Sequence, residues 1–432
     1  MKKEFQFVLC LFAISCMAVT CKKQSTTPAP ASTSLVNTTH LDYLYTPLIF
    51  STGVNAAGVY IYSQAPDYHL VADADEGFTC VDDVARAIQV YIRSTKFSSD
   101  TSMQNKTFKL IHFLLEMQSA NGYFYNFLFP GISINTNGSS SVNTANWWSW
   151  RALYTLSEVG PLIRTKDVQL ADKINAAISK LLAKIKTDLV PIPQTTKLVT
   201  GITVPEWLPV GSGTDQAAIM ILGLIPYCII NNDAVLVSYI KKLADGITLM
   251  QQGDALHFPY SCILSWEDTW HAYASDQAFA LMKAGAFLNE AGYTAKGMAE
   301  VDNFYPWLLK NGMKSSFVLE NNGIEIKLTS EKSYEQIAYG VRPMVSAAIE
   351  AYRLTNQEKY ADIAGHLAAW FLGANDANKI MYSVETGRCF DGIESSGINY
   401  NSGAESTIEA LLAMEAVESY PAVKTALNKY KK

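Results

Sequence analysis

The chain reads as an all-α protein, six helix hairpins closed into an (α/α)6 toroid with short β-hairpin flaps at one mouth. Three observations carry this reading. From about Asp73 onward, long segments of helical apolar periodicity alternate with short aromatic or glycine-containing connections, and the alternation repeats six times. The two helices of each pair differ in kind. The first is apolar on most faces and rich in Ala and Gly, as in the run QAFALMKAGAF over residues 277–287, which suits a helix packed on both sides. The second is amphipathic with lysines on one face, as in ISKLLAKIK over 178–186. An inner ring of buried helices inside an outer ring of amphipathic ones satisfies both patterns.

The first pair opens at Cys80-Val81-Asp82-Asp83 and returns over 106–117. The second opens at Ala145-Asn146-Trp147-Trp148-Ser149-Trp150-Arg151 and returns over 167–187. The third opens at Gly213-Thr214-Asp215-Gln216 and returns over 233–252. The fourth opens at Trp266-Glu267-Asp268-Thr269-Trp270, carries Asp276 two turns on, and returns over 294–312. Pairs five and six open at Tyr334-Glu335-Gln336 and at Ser402-Gly403-Ala404-Glu405-Ser406. Two connections carry hairpin signals. One is the aromatic cluster of Gly122 to Phe127, and the other runs from Ser316 to Ile326 around an Asn322-Gly323 turn.

Ahead of the repeat, Lys2 and Lys3 lead into an apolar stretch of roughly a dozen residues, the pattern of a secretory leader and too short to span a bilayer. The stretch ends at Cys21, followed by Lys22-Lys23-Gln24 and the low-complexity run STTPAPASTS. This order resembles a bacterial lipoprotein signal, and the resemblance implies a lipid on Cys21 and attachment to the cell envelope, with either membrane face open. The division expected is a leader over 1–20, a Ser/Thr/Pro-rich tether over 21–45 and a single toroid over 46–432. Losing Lys2, Lys3 and Glu4 with the leader takes the formal charge from −6 to −7. A mildly acidic chain without a basic run is a poor match for nucleic acid. Cys80, Cys228, Cys262 and Cys389 are far apart and lack the spacing of a zinc site, so they are either buried thiols or one or two disulfides. No phosphate loop, dinucleotide fingerprint or serine-hydrolase elbow is present, and no cofactor or metal is implied. The expected state is a monomer.

In a ring of helix pairs every inner helix starts at the same end, so the six opening segments converge on one mouth. They bring Asp82, Asp83, Asp215, Glu267, Asp268, Asp276, Glu335 and Glu405, with Trp147, Trp148, Trp266, Trp270 and His271 among them. A single acid at a helix start is ordinarily a cap. Acids at five openings out of six, interleaved with tryptophans, point elsewhere. Aromatic faces stack on sugar rings, and carboxylates bind hydroxyls and exchange protons, so the combination suits a carbohydrate. Paired carboxylates are also what glycosidic cleavage requires. The candidate catalytic set is Asp82, Asp83, Asp268, Glu335 and Glu405. The candidate sugar contacts are Trp147, Trp148, Trp266, Glu267, Trp270, His271, Asp276 and Asp215. Arg342 and Arg388 could bind a uronic acid or neutralise neighbouring acids.

The layout, with the segments Gly77 to Asp83, Ser265 to His271 and the closing run from Trp370 through Asp391-Gly392-Ile393 to Thr407, resembles the six-hairpin glycosidase superfamily over nearly the whole chain after the leader. The consecutive Asp82-Asp83 is similar to that of the endo-α-1,6-mannanase family, and the likeness implies nucleophile and acid/base roles for these two. A glycoside hydrolase is therefore expected. A polysaccharide lyase or sugar epimerase on the same fold, and a non-catalytic glycan-binding lipoprotein, are the alternatives.

Overall fold

The computed structural model describes residues 34–432; the expected leader, Cys21 and most of the expected tether lie outside the described residues. A short helix α1 (Thr39–Leu44) precedes the hairpins. These are α2 (Val81–Arg93) with α3 (Thr101–Glu116), α4 (Trp147–Arg164) with α5 (Val168–Asp188), and α6 (Thr214–Asn231) with α7 (Ala234–Leu249). Next come α8 (Gln277–Leu288) with α9 (Ala291–Ala299), which continues through a π-turn, Glu300–Phe304, into α10 (Tyr305–Asn311). α11 (Ala338–Thr355) pairs with α12 (Glu358–Ala368), and α13 (Ala404–Glu418) with α14 (Pro421–Tyr430). The inner helices α2, α4, α6, α8, α11 and α13 each pack on the next, and α13 returns to α2, closing the ring. The protein is an all-α toroid of the (α/α)6 type.

Packing follows the sequence contrast. In α6, long and apolar enough to cross a membrane, every residue from Thr214 to Leu224 is buried among its neighbours. The outer α5 buries Leu170, Ile174, Ile178, Leu181 and Ile185 and leaves its lysines outside. Gly223 allows α4 and α6 to touch, because a Cβ there would lie 2.9 Å from the Tyr154 backbone nitrogen.

Helix caps separate structural acids from the others. Asp100, Asp167 and Asp233 accept backbone N–H bonds and cap the outer helices α3, α5 and α7. The inner helices do not use acids this way: α2 is capped by the Cys80 sulfur and α4 by Asn146, while α6, α8, α11 and α13 have no side-chain cap. Apart from Asp215, which accepts the Gln216 N–H at 2.6 Å, the carboxylates at the inner helix starts are therefore free for another task.

Several expected boundaries move. Trp266 to Trp270 does not open the fourth inner helix: it forms a tight turn leading into a strand, Thr269–His271, which pairs with Ser316–Asn321 and places Trp270 opposite Phe317. Glu267 and Ala274 have φ of 49° and 52°, which no helix accommodates, so α8 starts only after Asp276. Asp276 thus sits at the N-cap position and not two turns into the helix. The fifth inner helix begins at Ala338, because Gln336 is taken up in a bridge to Ile393. The Ser316–Asn321 and Ile326–Lys332 hairpin forms around Gly323 (φ 84°) as expected. In the Gly122 to Phe127 cluster only Phe127 enters a strand, and Tyr123 and Phe124 are core residues. The folded unit starts at Ser34, earlier than residue 46: Leu41 and Leu44 are fully buried, and Leu35 bonds Glu418 and Tyr382. All four described cysteines are buried free thiols.

Glu300, the first residue of the π-turn, is buried, with Oε1 accepting the Ile263 N–H at 2.8 Å. Burial pushes its carboxyl up to about 8 against the partial opposition of that bond. The folded protein keeps a proton that the unfolded chain releases near its ordinary value of 4.5, so this stabilisation is complete below that pH and is lost as pH rises towards 8. Denaturant stability is expected to fall between about pH 5 and 8, and to fall less in Glu300→Gln, which keeps the acceptor. Equal pH slopes for the two proteins would remove Glu300 from this account.

Candidate active site

Asp82 and Asp83 are successive residues of α2, so they leave the helix about 100° apart. Asp82 is 22% exposed and meets Arg151 Nε of α4 at 2.9 Å; its backbone N–H is fixed by Asn126 Oδ1 at 3.2 Å. Asp83 is 3% exposed and pairs with Arg86 Nη2 at 2.7 Å. Burial raises the Asp83 carboxyl, with Arg86 opposing. Glu405, at the start of α13, reaches the same Nη2 at 3.2 Å. Asp82, Asp83, Arg86 and Glu405 edge a cavity of about 260 Å³, together with Tyr62, Asn126, Asp391 and Ser406.

Glu405 is raised as well. Although 43% of its side-chain surface opens into the hollow, its carboxyl lies at the centre of the ring. Burial pushes it up to about 6 against the pull of Arg86, with Asp83 and Glu409 adding to the rise. Asp391 is raised by burial and partly held down by the Gly403 N–H at 2.8 Å and the Ser406 hydroxyl at 2.7 Å.

Beneath the cavity lies a layer of ions. Arg86 bonds Glu409 at 2.8 Å; Arg342 bonds Glu409 at 2.6 Å and Asp276 at 2.8 Å. Tyr339 accepts a bond from Arg151 and lies under the guanidiniums of Arg86 and Arg151, 5.0 and 4.8 Å from its ring centre. Below this layer a second cavity of about 300 Å³ opens between the far ends of the inner helices.

One side of the mouth is aromatic. Tyr273 stacks on His271 at 3.7 Å, lies 6.5 Å from Trp147 and 6.4 Å from Tyr339, and remains half exposed. His271 Nε2 meets Asp215 Oδ2 at 3.1 Å and Nδ1 meets the Tyr273 carbonyl at 2.9 Å, so both ring nitrogens are engaged. An adjoining cavity of about 190 Å³, lined by Tyr273, Glu335 and Gly340, shares Ile337 with the first.

The ring therefore gathers Asp82, Asp83 and Glu405 around one cavity, Asp276 in the layer below, and Asp215, His271 and Trp147 in the aromatic wall. Other candidates fall away from it. Trp148 and Trp270 are core residues, the first bonding the Phe124 carbonyl and the second stacked at 4.9 Å on Phe317. Trp266 is exposed and bonds the Val210 carbonyl. Glu267 pairs with Lys197 at 2.7 Å, and Asp268 accepts from Thr200 and Thr269 within the flap. Glu335 is exposed on the neighbouring cavity and has no part in the carboxylate cluster. Arg342 is locked into the ion layer and Arg388 stacks over Tyr68, so neither lines the mouth cavity. The residues missed from sequence are Arg151, Tyr273, Tyr339, Asp391 and Glu409. Arg151 and Asp391 stood within the opening and closing segments without being given a role, and Glu409 lies four residues after Glu405 and so on its face of the helix. Among the described residues no group of three or more His, Cys, Asp or Glu is arranged to hold a metal.

Ring, mouth and buried ion layer define an (α/α)6 toroid with an acidic central cavity. No family model and no curated protein matches the sequence. Among solved structures, cellobiose 2-epimerase from Bacillus thermoamylovorans B4167 superposes with a TM-score of 0.57 at 12% identity, over 84% of this chain and 92% of that one. A D-mannose isomerase gives 0.56 at 12% identity, over 84% and 92%. A metagenome-derived glycoside hydrolase family 9 endoglucanase gives 0.50 at 11% identity, over 87% and 78%. At such identities the likeness is one of fold.

Proposed function

We propose that the protein is a carbohydrate-active enzyme, a glycoside hydrolase acting on an oligo- or polysaccharide with Glu405 as general acid and Asp82 as nucleophile or water base. One observation carries the reading: the cavity presents a carboxyl pushed up to about 6 beside an arginine-paired carboxylate. Two acids whose surroundings differ in this sense are what glycosidic cleavage needs. The resemblance to the endo-α-1,6-mannanase family would divide the nucleophile and acid/base roles between Asp82 and Asp83; because Asp83 is 3% exposed against 43% for the Glu405 side chain, the reading gives the acid role to Glu405. Epimerase chemistry is less well supported, because among the described residues no histidine lines the cavity and both nitrogens of His271 are occupied.

The test is product release by a soluble 22–432 form from α- and β-linked mannans, glucans, xylans and uronates, run beside Glu405→Gln. Cleavage by the parent that is lost in the variant supports the hydrolase. Retarded migration in a glycan gel without cleavage converts the reading to a binding protein. We also propose a monomer anchored to the cell envelope by a lipid on Cys21. Incorporation of labelled fatty acid that persists in Cys21→Ser would reject the anchor, and sedimentation as a dimer would reject the monomer.

A further inference from the structure

Charged groups at the ring centre lie in levels. Glu405 faces the cavity, Arg86 lies against it, and Glu409 follows one helical turn along α13. Arg86 gives Nη1 to Glu409 at 2.8 Å, Nη2 to Asp83 at 2.7 Å and to Glu405 at 3.2 Å, and Nε to the Asp82 carbonyl at 3.3 Å. Glu409 also accepts Arg342 Nε at 2.6 Å; it is fully buried and forms no part of the cavity wall.

We infer that Glu409, which does not reach the cavity, positions Glu405 as proton donor by sharing the guanidinium of Arg86 with it and by pairing with that of Arg342. The inference rests on Glu405 being the general acid. An arginine facing a single carboxylate forms a bidentate pair and keeps that carboxylate ionised. Arg86 instead divides itself among three, and its contact to Glu405 is the longest of them. Burial opposes the charge of Glu409, yet Arg342, Arg86 and Arg151 draw its carboxyl down to about 2, so it stays negative throughout the range in which Glu405 titrates. Facing this centre are Asp82, Asp83 and Arg86 from α2, Arg151 from α4, Asp276 ahead of α8, Tyr339 and Arg342 from α11, and Asp391 from the closing loop. The surplus of carboxylates over guanidiniums in this group favours a neutral Glu405. Glu409 is a positioning residue because it acts only through the two arginines and its own charge.

The test follows the Glu405 carboxyl directly, by carbon NMR of the full chain labelled at its glutamates, with the signal assigned by its loss in Glu405→Gln. The parent is expected to titrate near 6. Glu409→Gln is expected to move the midpoint down by about one pH unit, the scale of losing one neighbouring charge. Arg342→Gln is expected to move it up, since the charge of Glu409 is then less neutralised, and Arg342→Lys, which keeps the charge, to leave it near the parent value. Should Glu409→Gln fail to fold, the two Arg342 variants decide, because loss of a mere structural brace would not move a titration midpoint. Unchanged midpoints, or shifts of the opposite sign, overturn the inference. Shifts of the expected sign in a protein that cleaves no glycan remove the hydrolase reading alone.

Discussion

Replacing Glu405 by Gln is expected to cut hydrolysis of a natural glycan by about 10²–10⁴-fold, the usual contribution of a general acid, with no loss of fold. The size of the loss should depend on the leaving group. A dinitrophenyl glycoside departs without a proton, so Glu405→Gln should spare it, whereas Asp82→Asn should abolish cleavage of both substrates. The pH profile carries a second signature. Glu405 is competent while protonated, and with its carboxyl at about 6 the rate should fall on the alkaline side of that value. Steady-state kinetics on the two substrates from acid to neutral pH checks all three expectations. A Glu405→Gln enzyme equally impaired on both substrates would assign Glu405 to another role.

Arg86→Met is expected to destabilise the fold by about 3–5 kcal/mol, the cost of breaking a buried ion network from one side. Arg86 is 4% exposed and is the common partner of Asp83, Glu405 and Glu409. Removing it leaves Asp83 and Glu409 buried with fewer counter-charges, and part of the loss should return at low pH, where Asp83 protonates. The double change Arg86→Met with Asp83→Asn should therefore cost less than the sum of its parts, since the two residues touch. Denaturant unfolding of the three variants measures this. A single-variant loss below about 1 kcal/mol would place the ions in a solvated channel.

The arginine layer explains why mutations at the mouth should divide into two kinds. Asp82 and Glu405 are the more open carboxylates of the cavity and their loss should change activity, whereas Asp83 and Glu409 are buried against arginines and their loss should change stability and titration. Sequence spacing does not separate the two, because Asp82 and Asp83 are neighbours, and Glu405 and Glu409 are one turn apart.

Periodicity determined the architecture. A helix apolar on all faces can only be an inner one and a lysine-striped amphipathic helix only an outer one, so six alternations specify a double ring, and the common direction of the inner helices brings Asp82, Asp215 and Glu405 to one end before any coordinate is known. The sequence alone could not fix where a segment with helical composition is extended instead. Trp266 to Trp270 became turn and strand because Trp270 finds Phe317, Phe304 and a flap edge to pair with, contacts that lie more than thirty residues away. Tertiary structure also decided which acids reach the cavity. Side-chain direction around the inner ring sends Asp83 to Arg86, Asp268 to Thr200 and Asp82 to the cavity, brings Asp391 to the same cavity, and sets Arg151 between Asp82 and Tyr339. Those encounters depend on the closure of the ring, which places residues hundreds of positions apart within hydrogen-bonding distance and which no local pattern encodes.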